Sequence, residues 1–289
     1  MIARTEAILG TLVTIRVVRS GAEAAMDRAF GWFHEIEQRC TRFDPQSELM
    51  QLTAHAGSPV PASAILYQAV QFALMVAEES GGAFDPTIGH AMEARGHNRE
   101  HRTKEVVHTA ISTDDGVSYR DVELDPERKT ITLRRPLLLD LGAVAKGLAI
   151  DAAARELEPF SDFSIDAGGD LYLGGNNPEG VPWSIGIRHP RHHNALIDTL
   201  RVSNQAVCTS GDYERADHIL DPRLSQPAAA VASATVVAPS AMLADSLATA
   251  AFVLGPRAGI PFLNRMGVEG LIVTPDLERF ETGGLRRAA

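Results

Sequence analysis

Residues 136–170 read PLLLDLGAVAKGLAIDAAARELEPFSDFSIDAGGD, and the fold is organised around them. The apolar run at 136–139 predicts a short strand, and Gly142 permits a sharp turn after it. Val144, Leu148 and Ala152 are spaced four apart, which predicts one face of a helix. Pro159 ends that helix.

A second strand is predicted at 163–167, and it runs into a turn at Gly168 and Gly169. Charged side chains lie beside the two glycine turns: Asp140, Lys146, Asp166 and Asp170. A helix that begins after a glycine turn offers free N–H groups and a positive dipole end to an anion. Two interpretations are open, an ordinary strand–helix–strand unit with polar ends or a site for a phosphate-containing ligand.

Composition narrows the class of protein. With 289 residues, 45% of them hydrophobic, the chain can bury the core of one large domain or of two joined lobes. A net charge of -10 argues against nucleic-acid binding, which needs a basic face. Cys40 and Cys208 match no CxxC spacing, so we expect free thiols.

The N-terminus alternates apolar and polar residues from Ala7 to Val17. This pattern predicts a strand around Gly10 and Thr11, and it lacks the continuous apolar run of a signal peptide. We therefore expect a cytoplasmic protein with no membrane segment.

The remaining periodicities predict helices and strands in alternation. Helices are expected at 21–39, 62–80, 241–254 and 257–265, the last two separated by Gly255 and Pro256. Further strands are expected at 183–188, 200–207, 234–237 and 268–273, with a hairpin over 114–133. No linker-like stretch divides the chain, which predicts a single domain over 1–289.

One short sequence pattern matches a zinc-binding motif. His97, Glu100 and His101 form an H-x-x-E-H arrangement, which one class of zinc proteases carries on a packed helix. The surrounding residues have no apolar stripe, so we interpret the pattern as a polar surface loop.

Asp245 and Thr249 lie one turn apart on the same face of a predicted helix. A carboxylate and a hydroxyl so placed can offer two oxygen ligands to Mg²⁺. The alternative is a solvated surface pair whose threonine bonds within the helix. His218 and Asp221 precede a forced turn at Pro222, and alone this histidine is typical of a structural position.

Together these segments resemble the ApbE family, the FAD:protein FMN transferases. Residues 139–147, LDLGAVAKG, are similar to the family stretch LDLGGIAKG, and 166–169, DAGG, to its following glycine turn. The stretches TSGDYE at 209–214, HILDPR at 218–223 and ADSLATA at 244–250 resemble SGDY, HIIDPRTG and ADALATA. LGT at 9–11, SELM at 47–50 and GAFDPT at 82–87 match its N-terminal motifs, so the resemblance spans essentially the whole chain.

The resemblance implies an α+β, ApbE-like fold in which two intimately joined α/β lobes surround one flavin site. It implies that FAD is bound by Phe43, Ala83, Phe84, Asp85, Asp140, Lys146, Gly168, Gly169, Ser210, Gly211 and Leu220. It also implies a Mg²⁺ ion held by a main-chain oxygen at Ala143 and by the side chains of Asp245 and Thr249.

The implied reaction moves FMN from FAD to a Ser or Thr hydroxyl of an acceptor flavoprotein, and AMP leaves. Family acceptors carry Asp-Gly-x-Ser/Thr-Gly-Ala-Ser/Thr, whose last hydroxyl is modified. Asp245 and His218 are the expected catalytic residues, His218 because an imidazole can take the hydroxyl proton near neutral pH. A Mg²⁺-dependent FAD pyrophosphatase and a non-catalytic FAD-binding protein are the alternatives.

The chain departs from the family pattern at several positions. Leu9 replaces a methionine, and DPRTGxP becomes DPRLSQP at 221–227, with Leu224, Ser225 and Gln226 in the altered loop. The segment after Gly89 is polar where the family is apolar. These changes put the adenine contacts and acceptor recognition in question, while the metal ligands are retained.

Overall fold

An eight-stranded antiparallel sheet runs through the protein. The computed structural model describes residues 1–99, 105–109, 116–192, 194–213, 219–224 and 226–287. Their strands are β1 (Ile2–Ile8), β2 (Thr11–Val17), β3 (Val60–Pro61), β4 (Val122–Asp125), β5 (Thr130–Leu133), β6 (Phe163–Ala167), β7 (Asp170–Gly174), β8 (Trp183–Arg188), β9 (Leu196–Val202), β10 (Gln205–Gly211), β11 (Leu220–Asp221), β12 (Gln226–Pro227), β13 (Ser233–Ala238), β14 (Glu269–Val273) and β15 (Arg279–Glu281). The helices are α1 (Glu23–Cys40), α2 (Glu48–Thr53), α3 (Ala64–Glu79), α4 (Gly89–Ala94), α5 (Gly142–Leu157) and α6 (Ala241–Arg265).

The large sheet has the order β1-β2-β6-β7-β10-β13-β14-β15 and buries both faces in its central part. Neighbouring residues of one strand fall into different apolar clusters: Val236 joins the main core and Val237 a smaller one. This is the period of two that a strand imposes on its side chains. The main core holds α1, α5 and α6, whereas the hairpin β8–β9 covers part of the opposite face. A separate three-stranded sheet has the order β3-β5-β4.

The crossing of α5 and α6 is close because α5 carries a glycine there. A Cβ added to Gly147 would lie 2.4 Å from the Cα atom of Met242. The buried end of α6 is also capped from α5, since the Asp151 carboxylate accepts hydrogen bonds from the N–H groups of Ala241 (2.6 Å) and Met242 (3.0 Å). Asp151 and Gly147 thus set where α6 begins relative to α5.

The central prediction is confirmed for the helix and its second strand and is wrong for the first strand. α5 ends at Leu157, two residues before Pro159, and β6 spans Phe163–Ala167. Pro136 is exposed in a bend, and Leu137, Leu138 and Leu139 are fully buried without forming a strand. Their backbone pairs with a 3₁₀ turn instead: the Gly89 N–H donates to Leu138 (3.1 Å) and the Asp140 N–H to Pro86 (2.7 Å).

Two other strand predictions missed a turn. The N-terminal strand is a hairpin, β1–β2, whose turn holds Leu9 (φ 51°) and Gly10 (φ 71°). The strand expected at 200–207 is two strands, β9 and β10, with Asn204 (φ 53°) in the turn between them. In both places a turn residue adopts a left-handed backbone, and a local apolar pattern carries little information about that choice.

Helix α6 is two helical segments joined at Gly255, whose φ of 73° and ψ of 172° are not helical. This agrees with the break predicted at Gly255 and Pro256. Among the described residues α6 is the one helix long and apolar enough to cross a membrane. Because 61% of its most apolar window is buried inside the protein, α6 has the character of a core helix.

These elements form the α+β fold that was expected. The hairpin prediction over 114–133 is confirmed for β4 and β5, and its first residues lie outside the described part of the chain. The single-domain interpretation over 1–289 stays a prediction. Cys40 and Cys208 are both free and buried.

Candidate functional site

A cavity of about 1060 Å³ lies where the segments singled out in the sequence meet. The loop after α1, the turn before α4, the first turns of α5, strand β10 and helix α6 all contribute to its wall. Of the residues predicted to bind a cofactor or metal, it is lined by Phe43, Ala83, Phe84, Asp85, Asp140, Ala143, Lys146, Gly168, Ser210, Leu220, Asp245 and Thr249. Positions more than two hundred residues apart in the chain, such as Phe43 and Thr249, therefore line one cavity.

Gly169 and Gly211, both predicted to bind the cofactor, do not line the cavity. The backbone geometry or packing at each position favours glycine. Gly169 has a φ of 98° and donates its N–H to the Asp166 carboxylate at 2.9 Å. A Cβ at Gly211 would lie 2.6 Å from the Tyr213 ring. Their role in cofactor binding stays a prediction. His218 lies outside the described residues, as do Glu100 and His101 of the H-x-x-E-H pattern.

Gly168, by contrast, is required on the cavity wall. Its φ is 66°, and a Cβ there would lie 2.1 Å from the Thr11 hydroxyl. The β1–β2 hairpin and the turn after β6 thus approach each other directly, which only glycine permits.

Lys146 forms a charged cluster with Asp170 and Asp245, which we call the Lys146 cluster. Its ammonium contacts the Asp170 carboxylate and lies 3.7 Å from Oδ2 of Asp245. Both carboxylates are nearly buried, since the side chain of Asp170 is 4% exposed and that of Asp245 is 8% exposed. Burial works to lower the pKa of Lys146, but the charges of Asp170 and Asp245 outweigh it and raise that pKa. Lys146 therefore remains an ammonium.

Hydroxyl groups lie beside this cluster. The Thr249 and Ser210 hydroxyls are 3.1 Å apart, so α6 and β10 meet at this point. The Thr249 hydroxyl also donates to the Asp245 carbonyl at 3.2 Å, the helix-internal bond that the alternative interpretation expects. Lining the cavity and bonding within the helix are thus compatible for Thr249.

The two cysteines near the cavity are not nucleophiles. Burial raises the pKa of Cys208, and the Asp170 and Asp245 charges raise it further. Burial raises the pKa of Cys40 to about 12. Since a thiolate is the reactive form, both side chains stay inert thiols near neutral pH.

The donors assigned to a metal fit Mg²⁺ in chemical type. Asp245 offers a carboxylate, Thr249 a hydroxyl and Ala143 a main-chain oxygen, and all three residues line the same cavity. Mg²⁺ prefers oxygen ligands and keeps positions for water or phosphate oxygens, so a set with one carboxylate suits it. Within the described residues no group of three or more His, Cys, Asp or Glu side chains is placed to hold a metal. The oxygen donors of Asp245, Thr249 and Ala143 do not suit a structural zinc ion, which is held by four ligands that are mainly Cys and His.

A second ion pair lies on the cavity wall, formed by Arg42 and Asp140, and we call it the Arg42 pair. The Arg42 Nε–H donates to Asp140 Oδ2 at 2.7 Å, and the guanidinium lies 4.3 Å from the centre of the Phe43 ring. Asp140 Oδ1 accepts the Gly142 N–H at 2.8 Å, at the first turn of α5. The Arg42 guanidinium also donates to the His97 carbonyl. Phe43 and the start of α5 are thus fixed through one arginine.

Asp85 has a mainly structural environment although it lines the cavity. Oδ1 accepts hydrogen bonds from the Thr87 N–H (2.8 Å) and hydroxyl (2.7 Å), and Oδ2 accepts the Tyr119 N–H (3.0 Å). Burial raises the pKa of Asp85, and these hydrogen bonds oppose the rise. The carboxylate holds the turn that presents Ala83 and Phe84 to the cavity.

Sequence reasoning did not assign Arg42 or Asp151, and it noted Asp170 without giving it a role. Arg42 stands in a polar turn with no periodicity, and its partner Asp140 is distant in the chain. Asp151 lies outside the spacing of Val144, Leu148 and Ala152 that predicts the helix. Its position facing solvent or facing α6 depends on where α6 packs, which no local pattern states.

The fold is α+β, and its cavity of about 1060 Å³ lies beside the first turn of α5 and the oxygen donors of Ala143, Asp245 and Thr249. These features suit the class of proteins that bind a nucleotide together with a hard cation. The ApbE family model matches residues 9–272. The chain therefore belongs to the ApbE family, and the resemblance in its motifs is confirmed.

Curated relatives carry one name. The FAD:protein FMN transferase of Treponema pallidum is 32% identical over 95% of this chain and 84% of its own length. The enzyme of the same name from Escherichia coli K12 is 28% identical over 85% of this chain and 75% of its own.

Solved structures agree on the fold. The ApbE protein of Thermotoga maritima superposes with a TM-score of 0.83 at 28% identity, covering 99% of this chain and 96% of its own. The flavin transferase ApbE of Vibrio cholerae gives a TM-score of 0.84 at 23% identity, with coverage of 99% and 96%. The latter likeness concerns the fold alone.

Proposed function

We propose that this protein transfers FMN from FAD to a Ser or Thr hydroxyl of an acceptor flavoprotein and releases AMP. One observation carries the proposal: Phe84, Lys146 and Asp245 come from distant segments, and they line one cavity of about 1060 Å³. A cavity of this size suits a dinucleotide, since drug-sized ligands occupy about 300–1,000 Å³. The family membership and the names of the relatives support the same reaction.

Asp245, Thr249 and the Ala143 carbonyl would hold the metal ion. When bound, Mg²⁺ supplies charge neutralisation on the FAD diphosphate. Lys146 adds a permanent positive charge at the same wall of the cavity, and the first turn of α5 adds the positive end of a helix dipole. Asp151 and Ser240 hold the start of α6, so Asp245 and Thr249 keep their positions relative to α5.

The reaction balances as a phosphoryl-group displacement. The acceptor oxygen forms a bond to the phosphorus of the FMN half, and the anhydride bond to the AMP phosphate breaks. The hydroxyl proton passes to a base, and AMP leaves with the bridging oxygen. His218 is our candidate for that base, because imidazole titrates near neutral pH.

The test is incubation of the protein with FAD, Mg²⁺ and a folded domain that bears the acceptor motif. We expect the domain to gain the mass of one FMN group, with AMP released in equal amount. The matched control is the same domain with its last motif hydroxyl replaced by alanine, which should remain unmodified.

The alternatives predict other products. Free FMN and AMP without acceptor modification would indicate an FAD pyrophosphatase, and bound FAD with no AMP would indicate a non-catalytic binder. His218→Ala should slow transfer by about 100-fold, within the usual range for general base catalysis, while changing FAD affinity little. An equal loss of affinity and rate would contradict the base assignment.

The acceptor flavoprotein and a cytoplasmic location remain proposals. We also propose that nucleic acid is not a partner, since the net charge of -10 argues against a basic binding face. At the start of the altered loop the Arg223 guanidinium lies 2.7 Å from the Asp221 carboxylate.

A further inference from the structure

Asp170 is the member of the Lys146 cluster that does not line the cavity. Lys146 and Asp245 both line the cavity wall, whereas Asp170 does not. The side chain of Asp170 is 4% exposed and contacts the Lys146 ammonium. Asp170 can therefore act on a ligand in the cavity through Lys146, which it contacts directly.

The position of Asp170 is fixed by the sheet. Asp170 is the first residue of β7 and pairs with Ala167 of β6 across the Gly168-Gly169 turn. Its Oδ1 accepts the N–H of Thr209 on β10 at 3.2 Å, which leaves Oδ2 for the ammonium. Two neighbouring strands thus hold the carboxylate in one place.

The arrangement divides one ammonium unequally between two carboxylates. Lys146 is in contact with Asp170 but 3.7 Å from Asp245. The cluster has one negative charge in excess, and Asp245, the carboxylate on the cavity wall, is the one less engaged by the ammonium. In the absence of Asp170, the ammonium would be free to close on Asp245 and compete with any cation there.

We propose that Asp170 is a positioning residue that holds Lys146 away from Asp245 and so sets the affinity of the Asp245/Thr249 pair for a divalent cation. This inference rests on the metal site of the proposed function. It predicts that Asp170 controls metal binding in the cavity although it does not line the cavity. It also predicts that Lys146 weakens binding of the metal and strengthens binding of the FAD diphosphate.

The test is Mn²⁺ binding to FAD-free protein, measured by electron paramagnetic resonance of the free ion. Asp170→Asn keeps the size of the side chain and an oxygen acceptor for Thr209 but loses the charge. We expect Mn²⁺ affinity to fall about 10-fold, or about 1.4 kcal/mol. Lys146→Met alone should raise the affinity several-fold, because the competing ammonium is gone.

The double variant separates positioning from a general structural role. In Asp170→Asn with Lys146→Met, affinity should return to at least the wild-type value, since no ammonium remains to close on Asp245. The matched control is Asp166→Asn, at the other side of the same glycine turn, where the carboxylate accepts the Gly169 N–H and has no described contact with Lys146. It should leave Mn²⁺ affinity within about twofold.

Several outcomes would overturn the inference. These are Asp170→Asn binding Mn²⁺ as the wild type does, a double variant as weak as the single one, or Lys146→Met failing to tighten binding. The Lys146→Met result does not depend on whether the buried Asp170 variant folds. Wild-type protein that binds no Mn²⁺ would overturn both this inference and the proposed metal site.

FMN transfer is assayed on the same wild-type preparation at saturating Mg²⁺. Failure of transfer together with the expected Mn²⁺ pattern would reject the proposed reaction and leave the inference standing. Transfer that proceeds while the Mn²⁺ pattern fails would reject the inference alone.

Discussion

The Lys146 cluster, through Lys146 and Asp245, and the Arg42 pair line the same cavity and differ in their arrangement of charge. Two nearly buried carboxylates lie around one ammonium in the Lys146 cluster, whereas the guanidinium of the Arg42 pair contacts one carboxylate, that of Asp140. Lys146 is a compact charge on a flexible stem, while Arg42 is a planar group also placed over Phe43. Asp245 is placed on the cavity to serve a cation, whereas the Arg42 pair holds Phe43 and the start of α5 in the wall.

The largest expected effect comes from removing the carboxylate on the cavity wall. Asp245→Ala should reduce Mg²⁺-dependent AMP release at least about 100-fold, because it removes the one charged metal ligand. The alternative of a solvated surface pair does not hold for Asp245, which is buried at 6% exposure. We still expect the helix to persist, since alanine is the best helix former.

AMP release and a thermal melt measured on the same sample check this prediction. Unchanged Mg²⁺-dependent turnover in a folded Asp245→Ala protein would remove the metal site from that wall. The Lys146 cluster would then have a structural role, as the Arg42 pair has.

A smaller effect, on stability, is expected at the Arg42 pair. Arg42→Met removes the guanidinium that contacts Asp140, and breaking a buried ion pair costs about 3–5 kcal/mol. Because the Asp140 side chain is 20% exposed, we expect a loss of about 2 kcal/mol in the free energy of unfolding, measured in urea.

The matched control is Arg4→Met. Arg4 also pairs with a carboxylate, Asp27, and lies over a ring, Phe30, but its pair is exposed at 40% and 66%. Such pairs contribute about 0–1 kcal/mol. Equal losses in the two variants would mean that burial does not distinguish the Arg42 pair.

The smallest effect distinguishes the ligands of the Lys146 cluster. Lys146→Met should weaken FAD binding about 10-fold and riboflavin binding less than about twofold, because only FAD carries the diphosphate. Titration of flavin fluorescence measures both affinities. Equal losses would assign Lys146 a structural role in place of a phosphate-facing one.

Local patterns predicted much of this molecule because some signals depend on neighbouring residues alone. The spacing of Val144, Leu148 and Ala152 predicted α5, and the apolar residues at 163–167 predicted β6 with its observed ends. The four-residue spacing of Asp245 and Thr249 predicted a shared helix face, and both residues line the cavity. The run at 136–139 looked like a strand because buried extended segments and strands share one apolar pattern.

The sequence by itself determined the periodic elements, the glycine turns and, through its motifs, the family to which the chain belongs. The tertiary structure decided which charges meet. Arg42 finds Asp140 ninety-eight positions away, and Asp170 finds both Lys146 and the Thr209 N–H. The physical reason is that a helix or strand is specified by contacts a few residues apart, whereas the energy of a buried charge depends on partners that only the packed sheet and helices bring within reach.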